Sequence, residues 1–140
     1  MLINDLINKV TNPAAPLEVR KAILLLWAML LLTTLADLLD VLFLSGSTAV
    51  LLGGLVCTLF ASAFPYYINA RNNLMRNMYG ISTVLTLAWQ FGGPKEAFFA
   101  EGAFSTFYAD LAVPLFILSL YWLFKESSRK WFAHTTKSMV

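Results

Sequence analysis

The sequence predicts an all-α membrane protein, a bundle of four transmembrane helices with a short helix ahead of it, and three observations carry that prediction. The 140 residues are 59% apolar and only 13% charged, against roughly half and a quarter in an ordinary soluble domain. The apolar residues form runs of about 20 residues, the length that crosses a bilayer core, and the runs are apolar on every side, where helices of a soluble domain carry polar stripes. The basic residues then gather at one set of run ends, as the positive-inside rule requires of a multi-pass protein.

At the start, Leu2, Ile3, Leu6, Ile7 and Val10 share one helical face and Asn4, Asp5, Asn8 and Lys9 the other. That pattern predicts a short helix lying on the membrane surface; a frayed terminus is the plain alternative for so short a piece. The segment is too polar for a secretory signal. Pro13 and Pro16 end it and open the next element.

The first span is expected over about residues 20–44. Its uncharged part is Ala22 to Ala36, and counting 20 residues from Ala22 puts Asp37 and Asp40 at the far interface. Ser45-Gly46-Ser47 makes a turn. A second span, about 48–69, holds Gly53-Gly54 and Cys57 and closes on Pro65-Tyr66-Tyr67, where tyrosines suit an interfacial belt and small residues suit close helix approach.

The stretch Asn69 to Asn77 is the longest polar break in the centre of the chain. The third span is expected over about 73–92, with Arg76 one turn inside and snorkelling to the headgroups. Gly92-Gly93-Pro94 ends it, and Lys95 to Phe104 makes a polar and aromatic connection with room for a short surface helix. The fourth span, about 105–125, carries Asp110 and a kinking Pro114. The tail mixes Lys125, Arg129, Lys130 and Lys137 with Trp131 and Phe132, as expected of a helix end meeting an anionic leaflet. All 140 residues make one integral membrane domain.

Sidedness follows from charge. Lys9, Arg20, Lys21, Arg71, Arg76, Lys125, Arg129, Lys130 and Lys137 fall on one side of the four spans and Lys95 on the other. Both termini and the central break are therefore expected in the cytoplasm. The net charge of +2 gives no basic field that would call for nucleic acid.

Three stretches resemble a known group. Val19-Arg20-Lys21-Ala22 through Leu25-Leu26-Trp27, Asn69-Ala70-Arg71-Asn72 through Arg76, and Ser128-Arg129-Lys130-Trp131-Phe132 are similar to the V-R-x-A-x-x-L-L-W start, G-R-N-W-A-R-like loop and S-R-x-W-F end of small four-span proteobacterial inner-membrane proteins. Here Ala70 stands for the loop glycine, and Asn73-Leu74-Met75 replace Trp-Ala with one residue more. The resemblance implies the topology and the bacterial inner membrane; the group has no established activity, so no active residue is carried over.

Two clusters are candidate sites. Asp37 and Asp40, three residues apart, share a helical face, and Asp110 enters from the fourth span at the same level. Together they form a candidate cation or proton vestibule, since ionisable groups in a membrane are functional candidates by default; wetted interfacial acids are the plain alternative. Arg71 and Arg76, with Asn72 and its neighbouring asparagines, form a candidate lipid-phosphate contact, because guanidinium forks suit phosphate oxygens. Capping by asparagine and topology by arginine are the plain roles there.

The remaining residues argue against other chemistries. One cysteine, Cys57, rules out a two-thiol redox motif, and one histidine, His134 in the tail, rules out a haem held by paired intramembrane histidines and disfavours zinc. The aspartates lack the flanking patterns of a membrane aspartyl protease, and no central glutamate marks the first span as that of a small multidrug exporter. Gln90 and Thr33-Thr34 are the polar groups expected to bond across helices. The expectation is a non-enzymatic inner-membrane protein without metal or cofactor, its partners being the lipid bilayer and a second copy or another membrane protein. The alternative is a small channel or transporter with an outward acidic vestibule.

Overall fold

The computed structural model describes residues 2–44, 47–92 and 103–133, and among these every element is a helix. In chain order they are α1 (Leu2–Val10), α2 (Leu17–Phe43), α3 (Thr48–Ala61), α4 (Ala63–Asn69), α5 (Asn73–Gly92), α6 (Ala103–Phe124) and α7 (Glu126–Ala133). The turn at Ser45-Gly46, the Gly93–Gly102 connection, Lys137 and His134 lie outside the described residues.

The prolines place the joints. Pro13 and Pro16 separate α1 from α2. Pro65 has no N–H to give the carbonyl of Ala61, and the helix breaks at Ser62 into α3 and α4. Ser62 eases the break by donating its hydroxyl to Leu59 O at 2.6 Å. Pro114 sits inside α6, a position tolerated in membrane helices because neighbours re-satisfy the freed carbonyl.

Helix α2 is the centre of the bundle. It packs most extensively on α6, then on α3 and α4. The fully buried core lies towards its N-terminal half, where Val19, Ile23 and Leu26 meet Ile68, Tyr79, Leu123 and Phe132. The outer surface is apolar: Phe60 is 78% exposed, Phe91 75% and Leu59 73%. Water would penalise that surface at roughly 25 cal/mol per Å², whereas lipid tails solvate it at no such cost.

Three helical stretches, Leu17–Phe43, Thr48–Asn69 and Ala103–Phe124, are long and apolar enough to cross a membrane. The fourth expected span, α5, has 20 residues, about 30 Å of helix, but falls short in apolar content. The reason is visible in its sequence: Arg76, Asn77, Ser82, Thr83, Thr86 and Gln90 interrupt it, and of these Arg76 and Thr83 are buried.

Candidate functional site

At one end of the bundle, the polar break becomes a joint. The end of α4 closes with Arg71 N–H donating to Ile68 O at 2.9 Å and Asn72 N–H to Tyr67 O at 3.0 Å, the paired bonds of a Schellman turn. That turn puts Arg71 at φ 64°, a left-handed conformation ordinarily left to glycine. Its side chain compensates: Nε donates to Trp131 O at 2.6 Å and the guanidinium stacks on the Trp131 ring at 5.3 Å. Asn72 caps α5, its Oδ1 accepting from Met75 N–H at 3.1 Å.

Asn69 ties in the N-terminal segment, with Oδ1 accepting from Asn12 N–H at 2.6 Å and Nδ2 donating to Val10 O at 3.3 Å. Arg20 holds the same segment by donating to Thr11 Oγ1 at 3.0 Å and to Asn8 Oδ1. Helix α7 folds back so that Phe132 and Ser128 are buried, Ser128 Oγ donating to Trp122 O at 2.6 Å. Lys125 bonds Glu18 at 3.0 Å, and that partner lifts the ammonium above its ordinary value; the Lys130 bond at 2.7 Å lowers the carboxyl of Glu126.

Arg76 points elsewhere. It is 7% exposed, its guanidinium lying over the rings of Phe132 at 4.6 Å and Phe124 at 5.0 Å. Gly80 makes room for Phe124, since a Cβ there would meet the ring at 2.8 Å. Nη2 donates to Asn77 Oδ1 at 3.3 Å, while Nε and Nη1 have no hydrogen-bond partner among the described residues. The three residues expected to share a phosphate thus divide: Arg71 and Asn72 hold the tail and the backbone, and of the three Arg76 is the one whose unbonded donors are buried.

At the other end, Asp37 and Asp40 converge on the first turn of α6. Asp40 is 5% exposed and accepts from the N–H groups of Phe104 at 3.0 Å and Ser105 at 2.8 Å. It therefore caps a helix remote in sequence, where the N-terminal dipole favours a carboxylate. Ser105 Oγ lies 2.9 Å from Asp37 Oδ1 and within donating reach of Asp40 Oδ2. Asp37 also rests against Gly54, where any Cβ would collide with Oδ2. Asp110 does not join them. Five residues beyond Ser105, it is turned about 140° around the helix and is exposed.

Between these ends runs a polar seam. Tyr79, Thr83, Thr86 and Gln90, spaced four, three and four, line the inward face of α5. Tyr79 OH meets Ser119 Oγ at 2.7 Å; because Ser119 gives its own hydrogen to Phe116 O at 2.7 Å, the tyrosine is the donor. Gln90 Nε2 bonds Ala109 O at 3.0 Å and so joins α5 to α6, as its type suggests. Thr33 and Thr34 instead bond Met29 O and Leu30 O in their own helix, at 2.9 and 3.1 Å, and Tyr108 reaches Met29 O from α6 at 2.8 Å. The seam borders a cavity of about 320 Å³ reaching from Leu26 and Tyr79 to Thr86. A smaller one of about 190 Å³ adjoins it, with Thr33, Thr86, Tyr108 and Phe116 as common wall, and ends at Asp37, Gln90 and Ser105.

Comparison of the chain with protein-family models, with curated proteins and with solved structures finds no match.

Proposed function

We propose that the protein is a four-span protein of the bacterial inner membrane that works without catalysis, through helix contacts, as a self-associating bundle or an accessory subunit of a larger membrane assembly. The observation that carries this reading is α3. None of its 14 residues is buried, and it packs mainly on α2. Gly53 faces open space, and Leu52, Val56, Leu59 and Phe60 are exposed around it. Small residues beside apolar ones let a second helix approach closely, which is how helices associate in lipid.

The fourth span is α5, long enough to cross, with the polar face of Tyr79, Thr83, Thr86 and Gln90 turned inward. Placing both termini and the Asn69–Asn77 break in the cytoplasm agrees with the excess of Lys and Arg at that end. The hydrogen bonds joining α1, the α4–α5 turn and α7 at one end of the bundle support the same placement. The inner membrane follows from the resemblance in the three short motifs.

The test uses Cys57, the chain's one cysteine, exposed on α3. Bifunctional maleimide cross-linking in native membranes is expected to give a covalent dimer or one discrete larger product, lost in Cys57→Ser. Monomer alone, together with a monomer mass in native nanodiscs and no co-purifying protein, would overturn the reading.

A second reading is favoured by the cavity pair ending at Asp37. In it the protein is a small conduit whose outward acid is Asp37, with Asp40 held by the α6 cap and Asp110 outside the path.

A further inference from the structure

We propose that the outer groove between α5 and α6 is a binding site for an anionic phospholipid, its phosphate held by Arg76 with Arg129 and one acyl chain lying along Ile81, Val84, Leu85 and Leu120. The inference uses the membrane placement above but is independent of self-association.

The Arg76 guanidinium, 7% exposed with Nε and Nη1 unbonded among the described residues, is costly unless a counter-charge completes it. Its aromatic neighbours, Phe124 and Phe132, offer π faces that compensate in part. Arg129 stands three residues before Phe132 on α7, on the same helical face, and so brings a second cation to the ring that Arg76 covers. The acids on the neighbouring helices are already engaged, Glu18 with Lys125 at 3.0 Å and Glu126 with Lys130 at 2.7 Å. Arg76, with no acid bonded to it, and Arg129 beside it suit a phosphate, whose oxygens accept from both forks.

The shape of the adjoining groove suits a lipid rather than a free ion. Asn77, which bonds Arg76, and Phe124, whose ring Arg76 covers, form one end of a groove of about 830 Å³ that opens outward between the two helices and is walled almost wholly by apolar side chains. Its outer rim faces away from the core: Ile81 is 63% exposed, Val84 57% and Leu85 64%. Polar head and apolar trough follow one another along the helix axis, in the order of headgroup and chain in a leaflet. Basic pockets between transmembrane helices on the cytoplasmic side are the places where anionic headgroups bind.

Native mass spectrometry of the full chain, released from nanodiscs containing equal phosphatidylglycerol and phosphatidylcholine, tests the site. Retention of phosphatidylglycerol about tenfold over phosphatidylcholine is expected, because both present a phosphate but the choline cation of the second offsets it and is repelled by the two arginines, a difference on the order of one charge-assisted contact. Arg76→Gln and Arg129→Gln should each remove most of that preference, and Val84→Trp, which fills the trough from its exposed rim, should lower retention of both lipids. Arg129 and Val84 are exposed, so those two variants keep the test valid if Arg76→Gln fails to fold. Equal retention of the two lipids, a preference unchanged in Arg129→Gln and Val84→Trp, or thermal stabilisation in detergent by inorganic phosphate equal to that by phosphatidylglycerol would each overturn the assignment. Because Cys57 cross-linking does not involve this groove, failure of either proposal leaves the other standing.

Discussion

Arg71 joins two needs that ordinarily fall to different residues. The turn after α4 wants a residue tolerant of positive φ, and the C-terminal helix wants an anchor for its backbone. Truncation separates the two. Arg71→Ala keeps the left-handed strain and loses the bond to Trp131 O, a destabilisation of about 2 kcal/mol. Arg71→Gly loses the same bond but relieves the strain, so its cost should be smaller by roughly 1 kcal/mol. Thermal unfolding in detergent checks the order; equal losses in the two variants would show that φ contributes nothing. Sequence reasoning could find the arginines but not their division of labour, because Trp131 lies 60 residues from Arg71. The same holds for Asn69, whose partners at Val10 and Asn12 no local pattern reveals.

The helices were the more legible level. Apolar length predicts α2, α6 and the α3–α4 pair, and proline chemistry accounts for the break at Ser62. Helix α5 was legible by its caps and its length, while its inward seam was written in the spacing of Tyr79, Thr83, Thr86 and Gln90, a signal open to a helical count. The acidic end was half legible. A spacing of three puts Asp37 and Asp40 on one face, but the receiver, Ser105, lies 65 and 68 residues away. Asp110 shares neither their level nor their direction, as a count of about 1.5 Å and 100° per residue from Ser105 would have given. If the seam is a conduit, Asp37 is its acid: in proteoliposomes a cation or proton leak should appear with the native chain and vanish in Asp37→Asn, whereas a helix-packing module leaves the vesicles tight in both.

At the scale of the whole molecule, the described helices enclose an apolar core at one end and a polar seam beyond it, and leave an outer surface rich in apolar side chains. One end gathers α1, the α4–α5 turn and α7 around Val19, Ile68, Leu123 and Phe132; the other joins α2 to α6 through Asp40. Tyr79, Gln90 and Tyr108 bond across helices between them, where lipid offers no competing water. The proposed topology has the chain cross the bilayer four times, α5 included, with its basic end in the cytoplasm. The most direct measurement is the labelling of single cysteines by a membrane-impermeant maleimide, in a Cys57→Ser background. Ser47→Cys and Ala70→Cys place the probe at exposed positions on opposite ends of the second span. The account predicts that Ser47→Cys is labelled in spheroplasts with intact inner membranes and Ala70→Cys only after permeabilisation; labelling of Ala70→Cys in intact spheroplasts, or of both positions from the same side, would contradict it.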